Sequence, residues 1–330
     1  MIPAPVTIAI HTFGKDAHED LVADARAGLT ATPKTMPPRW FYDERGSELF
    51  EAITQLPEYY QTRTEAEILR RVAPEVIEAV APEALVELGS GSARKTRVLI
   101  EAGLRNRLGF YVPFDISEKT VQQTARSIAT DFPGLSVYAM VGDFSAHLDR
   151  IPRYGRQLLV FLGSTIGNFD DIERRTFLGH VRALLQPMDA FLLGVDVVKD
   201  AAELEKAYND ARGITADFNR NLLRVLNREL AADFDLAAFD HIARFDRERS
   251  RIEMYLRSRR RQRVRLPGAG LTVDFAADEL LMTEISVKFT RTSIEHALRQ
   301  SGLSLTRWYT DAQQRFALCL CEPREEDGSG

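Results

Sequence analysis

From Ala84 onward, short runs of apolar, often β-branched residues alternate with stretches whose apolar positions recur every three or four residues. Runs too short for helices, separated by amphipathic segments, predict strands alternating with helices, the pattern of a parallel α/β sheet. The expected strands are 85–88, 109–114, 135–141, 157–162 and 191–195, with helices between them at 95–102, 118–130 and 171–185. Then the alternation stops. Two helices are expected at 201–212 and 215–230, followed by a hairpin. In it, Ile252, Met254 and Leu256 alternate with polar neighbours, Pro267, Gly268, Ala269 and Gly270 form the turn, and 271–275 returns. A strand at 285–289, a helix at 293–301 and strands near 303–309 and 316–321 read as the large sheet finishing.

That order of elements predicts a class I, Rossmann-like methyltransferase sheet of seven strands, α/β in class, with an inserted α+β substrate-binding domain. The expected division puts 62–197 and 287–330 in the methyltransferase domain, which binds the methyl donor. It puts 1–61 and 198–286 in the substrate-binding domain, the N-terminal stretch packing with the insertion.

The bulk numbers exclude several classes. The 330 residues carry a net charge of −5, which gives no electrostatic reason to expect a nucleic-acid partner. The basic run from Arg257 to Arg265 lacks interleaved aromatics and reads as a solvated strand face. No apolar run approaches the roughly 18–20 residues that span a bilayer, and no basic and apolar leader opens the chain. The expectation is a cytoplasmic, monomeric enzyme with no membrane partner. Two cysteines, Cys319 and Cys321, share one face of the last strand and read as buried small hydrophobes. The six histidines lack metal-ligand spacing, so no metal is expected.

Candidate chemistry begins where the first strand ends, at Glu87, Leu88, Gly89, Ser90 and Gly91. Glycines there let the backbone turn tightly and approach a ligand at the carboxyl edge of the sheet. Asp115 ends the second strand, 26 residues after Gly89, where a carboxylate can accept from a ribose diol. Asp143 and Phe144 follow the third strand, placed for an adenine amino group and its stacking face. The third glycine of a dinucleotide fingerprint is replaced by Arg94, which favours S-adenosylmethionine over a nicotinamide cofactor.

The acceptor segment after the fourth strand runs from Phe161 to Phe169 and includes Gly163, Ser164, Gly167 and Asn168. With Pro38 to Asp43, Leu56 to Tyr60 and Leu281 to Phe289, it closely resembles the histidine Nα-methyltransferases of ergothioneine biosynthesis. The likeness extends from about Ala27 to Cys321. It implies S-adenosyl-L-methionine as methyl donor, L-histidine as substrate and hercynine as product. It also implies donor contacts at Gly89, Lys95, Asp115, Asp143 and Phe144. Asn168 and Tyr208 would hold the substrate carboxylate, Tyr59, Glu284 and Ser286 would read the imidazole, and Tyr42 with the Gly163 carbonyl would lie near the reacting amine. Tyr42 and Asn168 are the expected catalytic residues. Read from the residues alone, Glu284 and Ser286 share one face of a strand, which either lines a polar pocket or continues to Lys288 as a solvent-facing edge. A same-family enzyme for tyrosine or tryptophan is the alternative. Glu284 argues against it, because an apolar ring would leave that carboxylate unpaired.

Overall fold

The computed structural model describes residues 8–13 and 17–324, apart from the side chains of Phe144 and Ser145. Along the chain the strands are β1 (Ile8–Thr12), β2 (Lys34–Thr35), β3 (Ala84–Leu88), β4 (Phe110–Asp115), β5 (Ser136–Val141), β6 (Gln157–Phe161) and β7 (Ala190–Asp196). They continue with β8 (Phe239–Asp246), β9 (Arg251–Ser258), β10 (Gln262–Leu266), β11 (Leu271–Phe275), β12 (Leu280–Val287), β13 (Leu303–Thr310) and β14 (Phe316–Pro323). The chain separates into two compact units. One joins β1 to Gln61–Val198 and to the segment starting at Phe289; the other takes in 17–60 and 199–288.

The first unit holds an eight-stranded sheet in the order β1-β5-β4-β3-β6-β7-β14-β13. From β1 to β7 neighbours run parallel, while β14 is antiparallel to both β7 and β13. Without β1 this is the seven-stranded class I order, and its strand order reverses beside β3, where open α/β sheets bind ligands. Every residue of β3, β6 and β7 is buried, which is why these strands read as mainly apolar runs rather than alternations. Helix Gln61–Val80 contributes Ile68, Leu69, Val72 and Val76 to that core.

Three expectations need correction. The stretch before Gln61 does not all go with the insertion, since β1 pairs with β5 at the edge of the large sheet. Four of its five residues are exposed, so backbone pairing holds the strand and no buried face marks it in the sequence. The segment expected at 285–289 does not finish the large sheet either. Its residues through Val287 belong to β12, which lies between β2 and β9 in the four-stranded sheet β2-β12-β9-β8 of the second unit. Finally, Ile252, Met254 and Leu256 lie in β9 between β8 and β12, and the turn at Pro267 joins β10 to β11 in a separate two-stranded sheet.

The second unit packs helices Glu44–Thr54 and Ile214–Glu229 with its sheet around Phe41, Phe218, Leu222, Leu226, Phe239, Met254 and Leu281. Five of the six arginines in its basic run are paired locally: Arg257 and Arg259 with Asp240, Arg260 with Asp235, Arg263 with Asp274 and Arg265 with Asp233. In the register of β12 against β9 a bulge falls between Met282 and Glu284. Bulges of this kind re-aim the side chains beside them. No helix among the described residues is long and apolar enough to cross a membrane.

The register of β6 and β7 depends on Asp189. Its buried carboxylate accepts from Arg153 at 2.8 and 3.0 Å, from the Gln157 amide at 2.8 Å and from the Gln186 amide at 2.8 Å. Asp189→Ala strands all three groups and should cost about 3–5 kcal/mol. Denaturant unfolding monitored by circular dichroism measures it, and a loss below about 1 kcal/mol would show that these bonds are not what holds the strands.

Candidate functional site

In the first unit the turn after β3 is built from two left-handed glycines, Gly89 at φ 65° and Gly91 at φ 47°. The amides of Gly89 and Ser90 donate to the Phe114 carbonyl at 2.8 and 3.3 Å, tying the turn to the end of β4. The Gly91 amide donates to Asp115 Oδ2 at 2.9 Å, and the Ser117 amide to Asp115 Oδ1 at 3.1 Å. Burial raises the Asp115 pKa, opposed by these amide bonds. Nothing lies within 4 Å of where a Gly91 Cβ would stand, and the Ser90 hydroxyl is buried without a hydrogen-bond partner among the described residues. An open turn, an unsatisfied hydroxyl and a carboxylate on the next strand fit a nucleoside-bearing ligand. Asp143 follows β5, and its carbonyl accepts from the His147 amide at 3.0 Å. The Phe144 side chain lies outside the described residues.

Beneath this turn lie two acids: Glu87, which opens the sequence motif, and Glu65, which the sequence reading passed over. Glu87 is fully enclosed; burial pushes its pKa up to about 7 against the hydroxyls of Thr96 and Tyr111, which donate to it. Glu65, 0% exposed, accepts from Lys95 in an ion pair and from the Gly163 amide at 2.8 and 3.0 Å. Lys95 is therefore no solvated side chain. Glu65 had a signal in the sequence, because it sits three and seven residues before Ile68 and Val72, on the buried stripe of its helix. Gly194 makes room for it, since a Cβ there would stand 2.1 Å from Glu65 Oε1.

Beyond Gly163, itself at φ 78°, Ser164 adopts φ 57° and starts a 3-10 turn, Thr165–Asn168. The Ser164 hydroxyl accepts from the Asp196 amide at 2.8 Å, anchoring the turn to β7. Asn168 ends it half-buried.

In the second unit, Tyr42 and Tyr59 flank helix Glu44–Thr54, and both rings meet Phe50 edge-on, with centroids 5.7 and 6.2 Å away. Tyr59 also meets the Tyr208 ring at 6.5 Å. The Tyr208 hydroxyl donates to Ser286 Oγ at 2.9 Å, so these two expected residues are joined. Lys288 donates to both, at 2.9 Å to Tyr208 and 2.8 Å to Ser286, and is 2% exposed. The polar face of β12 therefore does not end in solvent. His241 holds the Tyr208 backbone: Asn219 donates to its Nδ1 at 2.9 Å, leaving Nε2–H to donate to the Tyr208 carbonyl at 2.8 Å. Burial lowers its pKa and keeps it neutral. The Glu284 carboxylate, beside the bulge, accepts no hydrogen bond among the described residues. Burial pushes its pKa up to about 7, moderated by the charge of Lys288.

The two units thus present different chemistry: a glycine turn with acids in the first, and aromatic rings with a carboxylate, a hydroxyl and a buried cation in the second. Among the described residues no group of three or more His, Cys, Asp or Glu could hold a metal ion.

Comparison with known proteins is informative over nearly the whole chain. Residues 21–323 match the family model described as histidine-specific methyltransferase, SAM-dependent. The histidine Nα-methyltransferase of Mycolicibacterium smegmatis is 49% identical over 317 residues, 96% of this chain and 98% of that one. That of Mycobacterium tuberculosis is 51% identical over 318 residues, with coverage of 96% and 98%. A more distant relative, an L-tryptophan methyltransferase of Psilocybe serbica, is 26% identical, with coverage of 91% and 92%.

Two stability measurements follow from this geometry. Glu284 has an ordinary pKa of 4.5 and a folded value of about 7. Below about 4.5 it is protonated in both states and its contribution to stability is complete. Between about 4.5 and 7 the unfolded chain ionises first, so that contribution is lost as pH rises, and Glu87 behaves alike. Denaturation of the free protein across this window should therefore show falling stability, with a shallower slope in Glu284→Gln; superimposable slopes would place Glu284 in water. Gly194→Ala should displace the Glu65 carboxylate from Gly163 and lower the melting temperature, and an unchanged melting temperature would refute that contact.

Proposed function

The chain belongs to the histidine-specific, S-adenosylmethionine-dependent methyltransferases, and on that footing we propose how its own residues divide the work. It is an L-histidine Nα-methyltransferase, carrying the α-amino group of free L-histidine to the trimethylated betaine hercynine in ergothioneine biosynthesis. The observation that carries the reading at the residue level is Glu284: a half-buried carboxylate, unbonded by the protein, two positions from Ser286 on one strand face. An imidazole has what such a pair lacks, an N–H for the carboxylate and a lone pair for the hydroxyl.

S-adenosylmethionine supplies a methyl group on a positively charged sulfur, open to in-line displacement by a neutral amine. The protein's task is then positioning more than acid–base chemistry. Gly89 and Gly91 leave the turn open at the donor, Asp115 accepts from its ribose diol, and Asp143 with Phe144 takes the adenine. Glu65, paired with Lys95, fixes the Gly163 end of the acceptor segment. We assign Asn168 and Tyr208 to the substrate carboxylate, Tyr59 with Glu284 and Ser286 to the ring, and Tyr42 with the Gly163 carbonyl to the amine. Tyrosine faces near a growing alkylammonium contribute about 0.5–2 kcal/mol of cation–π attraction. No metal takes part in this scheme. Histidine and the donor are metabolites of the cytoplasm, and we place the protein there.

Mass spectrometry of histidine incubated with the protein and S-adenosylmethionine should show three added methyl groups, with histidine amide a poor substrate. Equal rates for amide and acid would remove the carboxylate contacts. Asp115→Ala should weaken donor binding roughly 10–100-fold, the worth of a charge-assisted hydrogen bond; calorimetry showing unchanged affinity would withdraw the ribose assignment. Glu284→Ala should lower kcat/KM for histidine by roughly 10–100-fold while leaving donor affinity alone. Competition between histidine and tryptophan should narrow in that variant, since sites built to hydrogen-bond a substrate are the ones that discriminate strongly. Equal selectivity before and after the substitution would take Glu284 out of the site.

A further inference from the structure

Neither residue assigned above to the substrate carboxylate carries a charge, since Asn168 and Tyr208 are both neutral. A cation stands directly behind one of them. Lys288 is 2% exposed, donates to the Tyr208 hydroxyl at 2.9 Å and lies 4.6 Å from the centroid of its ring. It also donates to Ser286 Oγ at 2.8 Å, and the two hydroxyl oxygens are themselves 2.9 Å apart. One ammonium and two hydroxyls thus form a closed triangle. Burying an ammonium is costly, and an apolar side chain in its place would carry no such cost.

An ammonium only donates, so both oxygens accept from Lys288. In the free protein one more hydrogen lies between them, given by Tyr208 to Ser286. A carboxylate has no hydrogen to give. Tyr208 can bind one only by turning that same hydrogen away from Ser286 and toward the ligand. Two oxygens are then left side by side with no hydrogen between them, an arrangement that repels unless a donor faces both. Lys288 is that donor. Its two bonds persist while the hydrogen turns, so a hydroxyl–hydroxyl bond is exchanged for one to an anion, the stronger of the two. The bond from Lys288 into the Tyr208 oxygen also polarises the O–H that the carboxylate receives.

We propose that Lys288 is a positioning residue that frees the Tyr208 hydroxyl to donate to the substrate carboxylate and supplies, through that hydroxyl, the positive charge the carboxylate meets. The inference rests on the assignment of Tyr208 to the carboxylate. Preference for the free amino acid over its amide then depends on Lys288: an amide oxygen can accept from Tyr208, but it has no net charge for the ammonium to answer. The charge of Lys288 also reaches Glu284, so an effect on ring binding has to be separated from one on the carboxylate. Histidine and its amide share the ring, and a loss confined to the ring weakens both alike.

The test is calorimetric binding of histidine and of histidine amide to the full chain saturated with S-adenosylhomocysteine. The two ligands differ in amine basicity, but that difference cancels when their affinity ratio is compared between proteins at one pH. In Lys288→Met the Kd for histidine should rise roughly 10–100-fold and that for the amide less than about threefold, so the preference for the acid narrows. Lys288→Gln keeps a donor of similar length without the charge. It should narrow the preference in the same direction, and it keeps the test open if the methionine variant does not fold. In a Tyr208→Phe background, which lacks the hydroxyl, adding Lys288→Met should narrow the preference no further. An unchanged acid-to-amide ratio in a folded Lys288 variant overturns the proposal, whether both affinities fall together or neither falls. Further narrowing in the double variant overturns it too, because the charge would then act without Tyr208. A wild type with no preference for the acid fails differently: it removes the carboxylate assignment itself.

Discussion

A carboxylate taken out of water must be met by donors, by a cation, or by a proton, and three acids in this chain meet the demand in three ways. Glu65 is given a cation and an amide, Lys95 and Gly163, and its ion pair becomes a strut under the acceptor segment. Glu87 receives two hydroxyls, from Thr96 and Tyr111, and its raised pKa places it near neutrality. Glu284 has nothing from the protein except the charge of Lys288. The cost of leaving a half-buried acid without a donor is sensible only where something outside the chain supplies one. That contrast sets Glu284 apart from the acids that build the molecule, and it is what supports the proposed role of Glu284 as a substrate contact.

The same constraint explains how the sheet and the site are coupled within the first unit. Gly194 lies on β7, fully enclosed, where a side chain would add packing; it has none because Glu65 occupies the space. One missing methyl group on a strand thus permits a buried ion pair, and the ion pair holds the left-handed backbone of Gly163 and Ser164 in place. Strain of this kind persists only where surrounding bonds over-determine it. Ser164 returns the anchoring by accepting from the Asp196 amide at the end of the same strand.

Much of this was legible in the sequence, for reasons that differ by element. Strands β3, β6 and β7 were legible because both their faces are covered, so composition alone marks them. β1 was not, because an exposed edge strand leaves no apolar pattern behind. β12 was placed in the wrong sheet: its residues alternate as a strand's should, but alternation says nothing about which neighbours supply the hydrogen bonds. The hairpin turn at Pro267 was recognised, yet its partner was taken to be the more strongly alternating 252–256, when β10 stands directly before it. Among the proposed site residues, Gly89, Asp115 and Ser286 were named from spacing and resemblance. Glu65 and Lys288 were missed because a charged residue in an apolar stripe, or at the end of a polar one, is ordinarily taken for surface.

Three successive methylations impose a demand that a single one does not. Each transfer removes an N–H from the amine and adds bulk and, at the last step, a permanent charge, so any grip that depends on amine hydrogen bonds weakens from round to round. The groups that do not change are the ring and the carboxylate. Recognition concentrated on them holds the substrate equally well at every stage, and in this chain the directional polar groups of the second unit, Glu284, Ser286, Tyr208 and Lys288, are of the kind that read a heterocycle or a carboxylate. What the aromatic rings of Tyr42, Phe50, Tyr59 and Phe218 offer is complementary: ring faces favour a cation whatever number of hydrogens it carries. An acceptor site for repeated methylation is therefore strict about the end of the molecule that stays constant and permissive about the end that is being built.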